Sequence, residues 1–151
     1  MSGIRLGDIP DMNAICDLAA ELLDQSVYAG IKPDQEKFRL LVANLMGHKQ
    51  GTVLVIVDDE DRPQGFLLGI LEELFFSRKR MATDLAIYVR EGYRHLAPSM
   101  VKQFIAWAES KPRLVLITLG ISSGIGDPDR VGKFYEDIGL PAVGGIHMKR
   151  Y

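Results

Sequence analysis

The sequence predicts one α/β domain on a mixed sheet. Three observations predict it. The chain has 151 residues with 47% apolar and 25% charged side chains, the size and balance of one soluble globular domain. The order of helical and strand-like segments mixes a hairpin with β-α-β units, which calls for a mixed sheet with helices laid on it. No internal repeat, low-complexity stretch or long linker divides residues 1–151.

The elements follow in order. Residues 4–6 read as a short strand. Asp8 is placed to cap a helix, with Pro10 in its first turn, where a missing N–H costs little. Met12, Ile15, Leu18, Ala19, Leu22 and Leu23 recur at helical spacing, ending near Gln25. Residues 26–33 form a loop. Residues 34–46 read as a second helix, closed by Gly47. The β-branched run 52–57 and the run 64–73 flank a polar turn, 58–63, and make an antiparallel hairpin. Residues 75–80 connect onward and carry Arg78, Lys79 and Arg80, read as a solvated basic turn. Residues 82–89 are a further strand and 91–96 a polar turn. Residues 98–109 are an amphipathic helix with Met100, Val101, Phe104, Ile105 and Ala108 inward, and Trp107 at its junction with the sheet. Strand 114–119, a glycine-rich loop (GISSGIG), helix 129–138 capped by Gly139, and a last strand, 142–149, complete the order.

Composition excludes several classes. The net charge of −2 gives no bulk attraction to nucleic acid or anionic membrane. No apolar run approaches the roughly 18 residues of a membrane span. The first residues, MSGIRLGDIPD, lack the apolar core of a secretion signal. The single cysteine, Cys16, has no partner for an internal disulfide and lies on the apolar side of the first helix. A soluble, cytoplasmic protein is expected. His48, His95 and His147 have no metal-ligand spacing with acids or cysteine, so no metal site is expected. The GISSGIG loop lacks the Gly-Lys-Ser/Thr ending of a nucleotide loop and reads as a flexible connection.

Chemistry concentrates between Asp84 and Trp107. A strand ends at Val89, a turn carries Arg94, and a helix opens near Pro98. A helix N-terminus offers free N–H groups and partial positive charge to a phosphate. Ala97 and Ser99 are small enough for close backbone approach. On these residues alone, an ordinary strand-to-helix connection with a surface arginine is the favoured reading.

The stretch Arg94-His95-Leu96-Ala97-Pro98-Ser99 resembles the pyrophosphate-binding motif of the GNAT superfamily of acetyl-coenzyme A dependent N-acetyltransferases. Arg94 takes the motif's first position, and Ala97 and Ser99 stand where glycine is usual. Lys133-Phe134-Tyr135-Glu136-Asp137-Ile138-Gly139-Leu140 resembles the family's closing helix motif, with Leu140 in place of phenylalanine. The resemblance spans nearly the whole chain and implies a GNAT-like α/β (α+β) domain. Its sheet would be mixed, mostly antiparallel, with about six to seven strands and about four helices.

The resemblance also implies a site. Backbone groups of Ile87, Tyr88 and Val89 would pair with the pantetheine arm where strands part. N–H groups of Leu96, Ala97 and Ser99 would bind pyrophosphate, with Arg94 adding charge and His95 and Pro98 in the same turn. Pro98 removes one N–H donor. Phe134 would lie along acetyl-coenzyme A, the cosubstrate. Tyr135 would protonate the departing thiolate, and Asp84 would serve as base, with Glu72 and Glu73 as alternatives. The acceptor would be a primary amine of a small molecule or a protein, and many members of the superfamily pair as homodimers. Two other functions stay open: a weak or inactive relative holding coenzyme A, and a protein acting by contact alone.

Overall fold

A computed structural model describes residues 3–121 and 124–151. Ser122 and Ser123, in the glycine-rich loop, lie outside the described residues. Five strands form one sheet in the order β1 (Gly3–Leu6), β2 (Gly51–Val57), β3 (Pro63–Glu73), β4 (Arg80–Val89), β5 (Leu114–Thr118). The first three pairings are antiparallel and β4 to β5 is parallel. Four α-helices cover the sheet: α1 (Met12–Gln25), α2 (Gln35–Gly47), α3 (Ala97–Glu109) and α4 (Pro128–Asp137).

The helix starts follow their caps. Asp8 accepts from the Ile9 N–H and opens a short 3-10 turn, Ile9–Asp11, that feeds α1. Asp34 caps α2 through the Lys37 N–H, and Asp127 caps α4 through the Asp129 N–H. Each carboxylate satisfies a donor that the helix cannot satisfy itself. Gly139, at φ 95°, lets the chain leave α4 in a left-handed turn closed by its N–H on Glu136.

Strand alternation divides the core in two. Val53, Val55, Val57, Phe66, Leu68 and Tyr88 pack with Ile15, Leu18 and Ala19 of α1 and Val42 and Leu45 of α2. Leu54, Ile56, Leu67, Leu71, Ala82 and Val89 pack with Met100, Val101, Phe104 and Ala108 of α3 and Tyr135 of α4. Of the residues expected inward on α3, only Ile105 is half-exposed. Trp107 is half-buried and stacks on Phe104 at 5.8 Å. Cys16 is buried as expected.

Two expectations are corrected. The sheet has five strands, not six or seven, because residues 142–149 form none. Pro141 and the pair Gly144–Gly145 interrupt the apolar run. Arg80 is buried rather than solvated: its Nε and Nη2 donate to the Pro112 carbonyl at 3.1 and 2.7 Å. It ties the start of β4 to the start of β5.

Gly69 sets the closeness of α3. A Cβ there would lie 2.5 Å from Phe104 Cε2 and 3.0 Å from Thr52 Cγ2. Gly69→Ala is expected to destabilise by about 1–3 kcal/mol through overpacking, and Phe104→Ala by about 3–5 kcal/mol. Urea unfolding of the double variant should show less than the summed loss. Strict additivity would contradict this contact.

Candidate functional site

The site grows from an irregularity in β4. Leu68 pairs with Ala86, but Gly69 pairs with Asp84, so Leu85 is an extra, bulged residue. The bulge changes the phase of the strand. Before it, Ala82 faces α3, and Asp84 shares that face by alternation. Beyond it, Ile87 and Val89 face α3, while Ala86 and Tyr88 face α1.

On its other side β4 loses its neighbour. The parallel ladder to β5 runs from Arg80–Leu114 to Thr83–Thr118 and ends there. Among the described residues, no strand pairs with β4 from Asp84 to Val89 on the side of β5. Asp84 sits at the fork. Its Oδ1 accepts from the Gly120 N–H at 3.0 Å, just past the end of β5.

Tyr135 comes to the same place from α4. It is buried, and its phenol is pushed up to about 12, first by burial and second by the charge of Asp84. Burial also raises the Asp84 carboxyl above its ordinary range, against the Gly120 hydrogen bond, which lowers it. The charge of Asp84 thus reaches Tyr135, the other residue expected to act in catalysis.

The remaining predicted residues divide. Ile87, Val89, Leu96, Ala97 and Phe134 join the same α3-side cluster as Tyr135. Only the backbone of Tyr88 is on this side; its ring lies in the α1-side core. Arg94 is exposed and its Nε donates to the Val89 carbonyl at 3.2 Å, fixing the guanidinium to the end of β4. His95 and Ser99 are exposed, and Pro98 stands in the first turn of α3.

The turn itself departs from expectation. Residues Glu91–Leu96 are wound as a 3-10 helix that runs straight into α3, and the Ala97 N–H already donates to the Arg94 carbonyl. The first turn of α3 is therefore not an open cradle: Ala97 has spent its donor and Pro98 has none. Glu72 and Glu73 are exposed and pair with Met81 and Arg80. They lie three or more residues along β3 from Gly69, Asp84's partner, roughly 10 Å away.

Sequence reasoning missed a polar network beneath the turn. Arg90 bonds Glu21 of α1 bidentately, at 2.5 Å for its Nη2, and Gln64 at 2.9 Å. The Tyr88 hydroxyl donates to Glu21 and accepts from Gln25. Arg90 holds the Glu21 carboxyl below its ordinary range. Nothing in the local pattern pairs residues 69 positions apart. Its effect is to bolt α1 to the residue at which the turn begins.

Two surface clefts, of about 710 and 760 Å³, lie elsewhere. The first runs between Arg5, Asp17 and Arg90, and the second between Ile9 and Leu40. Neither borders Asp84 or Tyr135. In the first, Arg5 is bound to Asp11 and Asp61 and Arg90 to Glu21, so the charges answer one another. Among the described residues, no group of three or more His, Cys, Asp or Glu side chains is arranged to hold a metal ion.

No protein-family model matches the chain, and no curated protein matches it. Solved structures do. A Trypanosoma brucei acetyltransferase superposes with a TM-score of 0.74 at 15% identity, covering 100% of both chains. Glucosamine-6-phosphate N-acetyltransferase from Arabidopsis thaliana gives 0.73 at 16% identity, over 100% of this chain and 98% of that one. A GNAT family acetyltransferase from Staphylococcus aureus gives 0.65 at 14% identity over 100% of both. At such identities the likeness establishes the fold, and the fold is that of the GNAT acetyltransferases.

Asp84 yields a signed prediction. Its folded pKa is raised, so its contribution to stability is full below the unfolded value of 3.8 and is lost as pH rises through the folded value. Asp84→Asn keeps an acceptor for Gly120 and removes that loss. Urea unfolding from about pH 4 to about pH 7 should show the variant gaining on the wild type as pH rises. A difference independent of pH would contradict the burial of this carboxylate.

Proposed function

We propose that this chain, which carries the GNAT fold over its whole length, is an acetyl-coenzyme A dependent N-acetyltransferase. The acceptor is a primary amine, of a small molecule or a protein. The observation that carries the proposal is the open edge of β4 beside the Leu85 bulge, with Asp84 and Tyr135 converging on it. An extended pantetheine arm is a strand-like partner for such an edge, since it carries amide donors and acceptors.

The reaction we envisage is direct attack in a ternary complex. The amine nitrogen bonds the thioester carbon, the carbon–sulfur bond breaks, and the proton lost by nitrogen ends on sulfur. Holding both reactants in line supplies much of the acceleration. Free N–H groups on the β4 edge would stabilise the charge that develops on the carbonyl oxygen. Asp84, with its raised pKa, is suited to take the amine proton.

Tyr135 has a narrower role than a simple acid. A phenol near 12 is weaker than an ordinary thiol at about 8.5, so complete transfer to sulfur runs uphill. The phenol stays protonated at neutral pH and donates a hydrogen bond to the sulfur as its charge grows. Arg94, at the end of β4, would meet the pyrophosphate.

One observation favours a second reading, a protein that holds coenzyme A weakly or without turnover. The 3-10 winding of Glu91–Leu96 occupies the Ala97 N–H, so binding by that group requires the turn to loosen.

Calorimetry and thiol release separate the readings. Acetyl-coenzyme A should bind the wild type and bind Arg94→Glu far more weakly. Tyr135→Phe should lower turnover with an amine panel by about 10²-fold or more while leaving coenzyme affinity near wild type. Binding without thiol release from any amine would favour the second reading. Unchanged turnover in Tyr135→Phe would remove that residue from the mechanism.

A further inference from the structure

The two hairpin turns of the sheet differ in composition. The β2–β3 turn reads Asp-Asp-Glu-Asp-Arg, as a turn in water should. The β3–β4 turn reads Leu-Phe-Phe-Ser-Arg-Lys. Its backbone is closed on itself: the Leu74 N–H donates to the Lys79 carbonyl at 2.9 Å, and the Ser77 N–H to the Leu74 carbonyl at 3.2 Å. The Ser77 hydroxyl also accepts from the Lys79 N–H at 3.1 Å. Phe75 and Phe76 are therefore the central residues of a tight turn, at the apex of the hairpin. They are 99% and 71% exposed, and their rings meet each other edge to face at 5.0 Å. Neither belongs to either half of the core. Single apolar residues scattered over a surface need no explanation, but two adjacent aromatics at an apex form a patch held out into solvent.

Cations surround that apex. Arg78 and Lys79 are exposed in the turn itself. The α3–β5 connection lies beside it: the Arg80 N–H donates to the Arg113 carbonyl at 2.8 Å, and Arg113 Nη1 to the Arg78 carbonyl at 3.4 Å. Arg113 keeps a left-handed backbone there, at φ 65°, which a non-glycine residue seldom adopts. Lys111 stands 5.1 Å over the Trp107 ring. From Leu74 to Arg80 and from Ser110 to Leu114 every charged residue is basic. The flanking acids are Glu72 and Glu73 on β3 and Glu109 at the end of α3, and Arg113 answers Glu73 at 3.8 Å.

An apolar apex within a basic collar has the form of an interfacial anchor. We propose that the β3–β4 turn docks on an anionic lipid bilayer. Phe75 and Phe76 enter the boundary between headgroups and acyl chains, and Arg78, Lys79, Lys111 and Arg113 meet the lipid phosphates. Neither cleft described above borders this turn. A protruding tip suits a soft surface rather than a peptide, which needs a groove or a strand edge. The net charge of −2 does not oppose docking, because exposed charges more than about 8 Å away are largely screened at physiological salt. β4 runs from this tip to Val89, about 30 Å away, so a docked molecule keeps Arg94 and the turn before α3 clear of the surface. Docking is independent of the acetyltransferase reading, because it uses none of Asp84, Tyr135 and Arg94.

Co-sedimentation of the full chain with lipid vesicles tests the proposal. Vesicles of equal parts phosphatidylserine and phosphatidylcholine should carry the wild type down, and phosphatidylcholine alone should bind it about tenfold less or weaker still. The pair Phe75→Ser, Phe76→Ser should lower affinity for the anionic vesicles by about tenfold or more. The pair Arg78→Glu, Lys79→Glu should do the same, and molar salt should release the wild type. Far-ultraviolet circular dichroism should be unchanged in both variants. A wild type that stays in the supernatant, binds neutral vesicles equally well, or binds as tightly without its two phenylalanines would overturn the proposal. Self-association without vesicles that the serine pair abolishes would assign the apex to a protein contact instead. If a variant loses its circular dichroism signal, amide exchange on the wild type decides: anionic vesicles should slow exchange across residues 74–79, and unaltered exchange there would overturn the proposal.

Discussion

The parting of β4 from β5 is the constraint on which the site depends. The parallel ladder runs to Thr118, the last residue of β5, while β4 continues to Val89, and the next residue of β4, Asp84, reaches across to the Gly120 N–H. That side-chain bond ties β4 to the residue two past the end of β5. Arg80 clamps the closed end through Pro112.

The Leu85 bulge makes the open stretch useful. It lets Asp84 share a face with Ala82 while Ile87 and Val89, not Ala86 and Tyr88, meet α3 and α4. Without it, Tyr88 would point towards Tyr135, and the anchor that Tyr88 and Arg90 form with Glu21 would be lost. Opposite the bulge, Gly69 lets Phe104 press onto the sheet, which fixes α3 and the turn that precedes it. Burial raises the pKa values of both Asp84 and Tyr135, and the charge of Asp84 raises that of Tyr135 further.

Much of this fold was legible in the sequence because its signals are local. Aspartates at 8 and 34 announce helix starts, and Gly139 announces a helix end. The hairpin and α3 follow from period and turn chemistry. Tyr135, Arg94 and Phe134 are proposed from a motif resemblance, and Asp84 from its place on the strand that leads to Val89. What escaped was long-range or unpaired. The Glu21–Arg90 bond joins distant segments. Arg80 reads as one more basic residue in a turn until Pro112 is seen beside it. Residues 142–149 read as a strand from alternation alone, but a strand exists only where another lies beside it. The wound turn at Glu91–Leu96 is set by local backbone bonds, which polar composition does not specify.

The most direct test of the central claim is amide hydrogen exchange with and without acetyl-coenzyme A, because the claim is about where an open strand edge finds its partner. The account predicts that added acetyl-coenzyme A slows exchange along 84–99 and around Tyr135, leaving the cleft between Arg5 and Arg90 unchanged. Unaltered exchange along β4 at saturating ligand, or slowing confined to the Arg5 cleft, would contradict it.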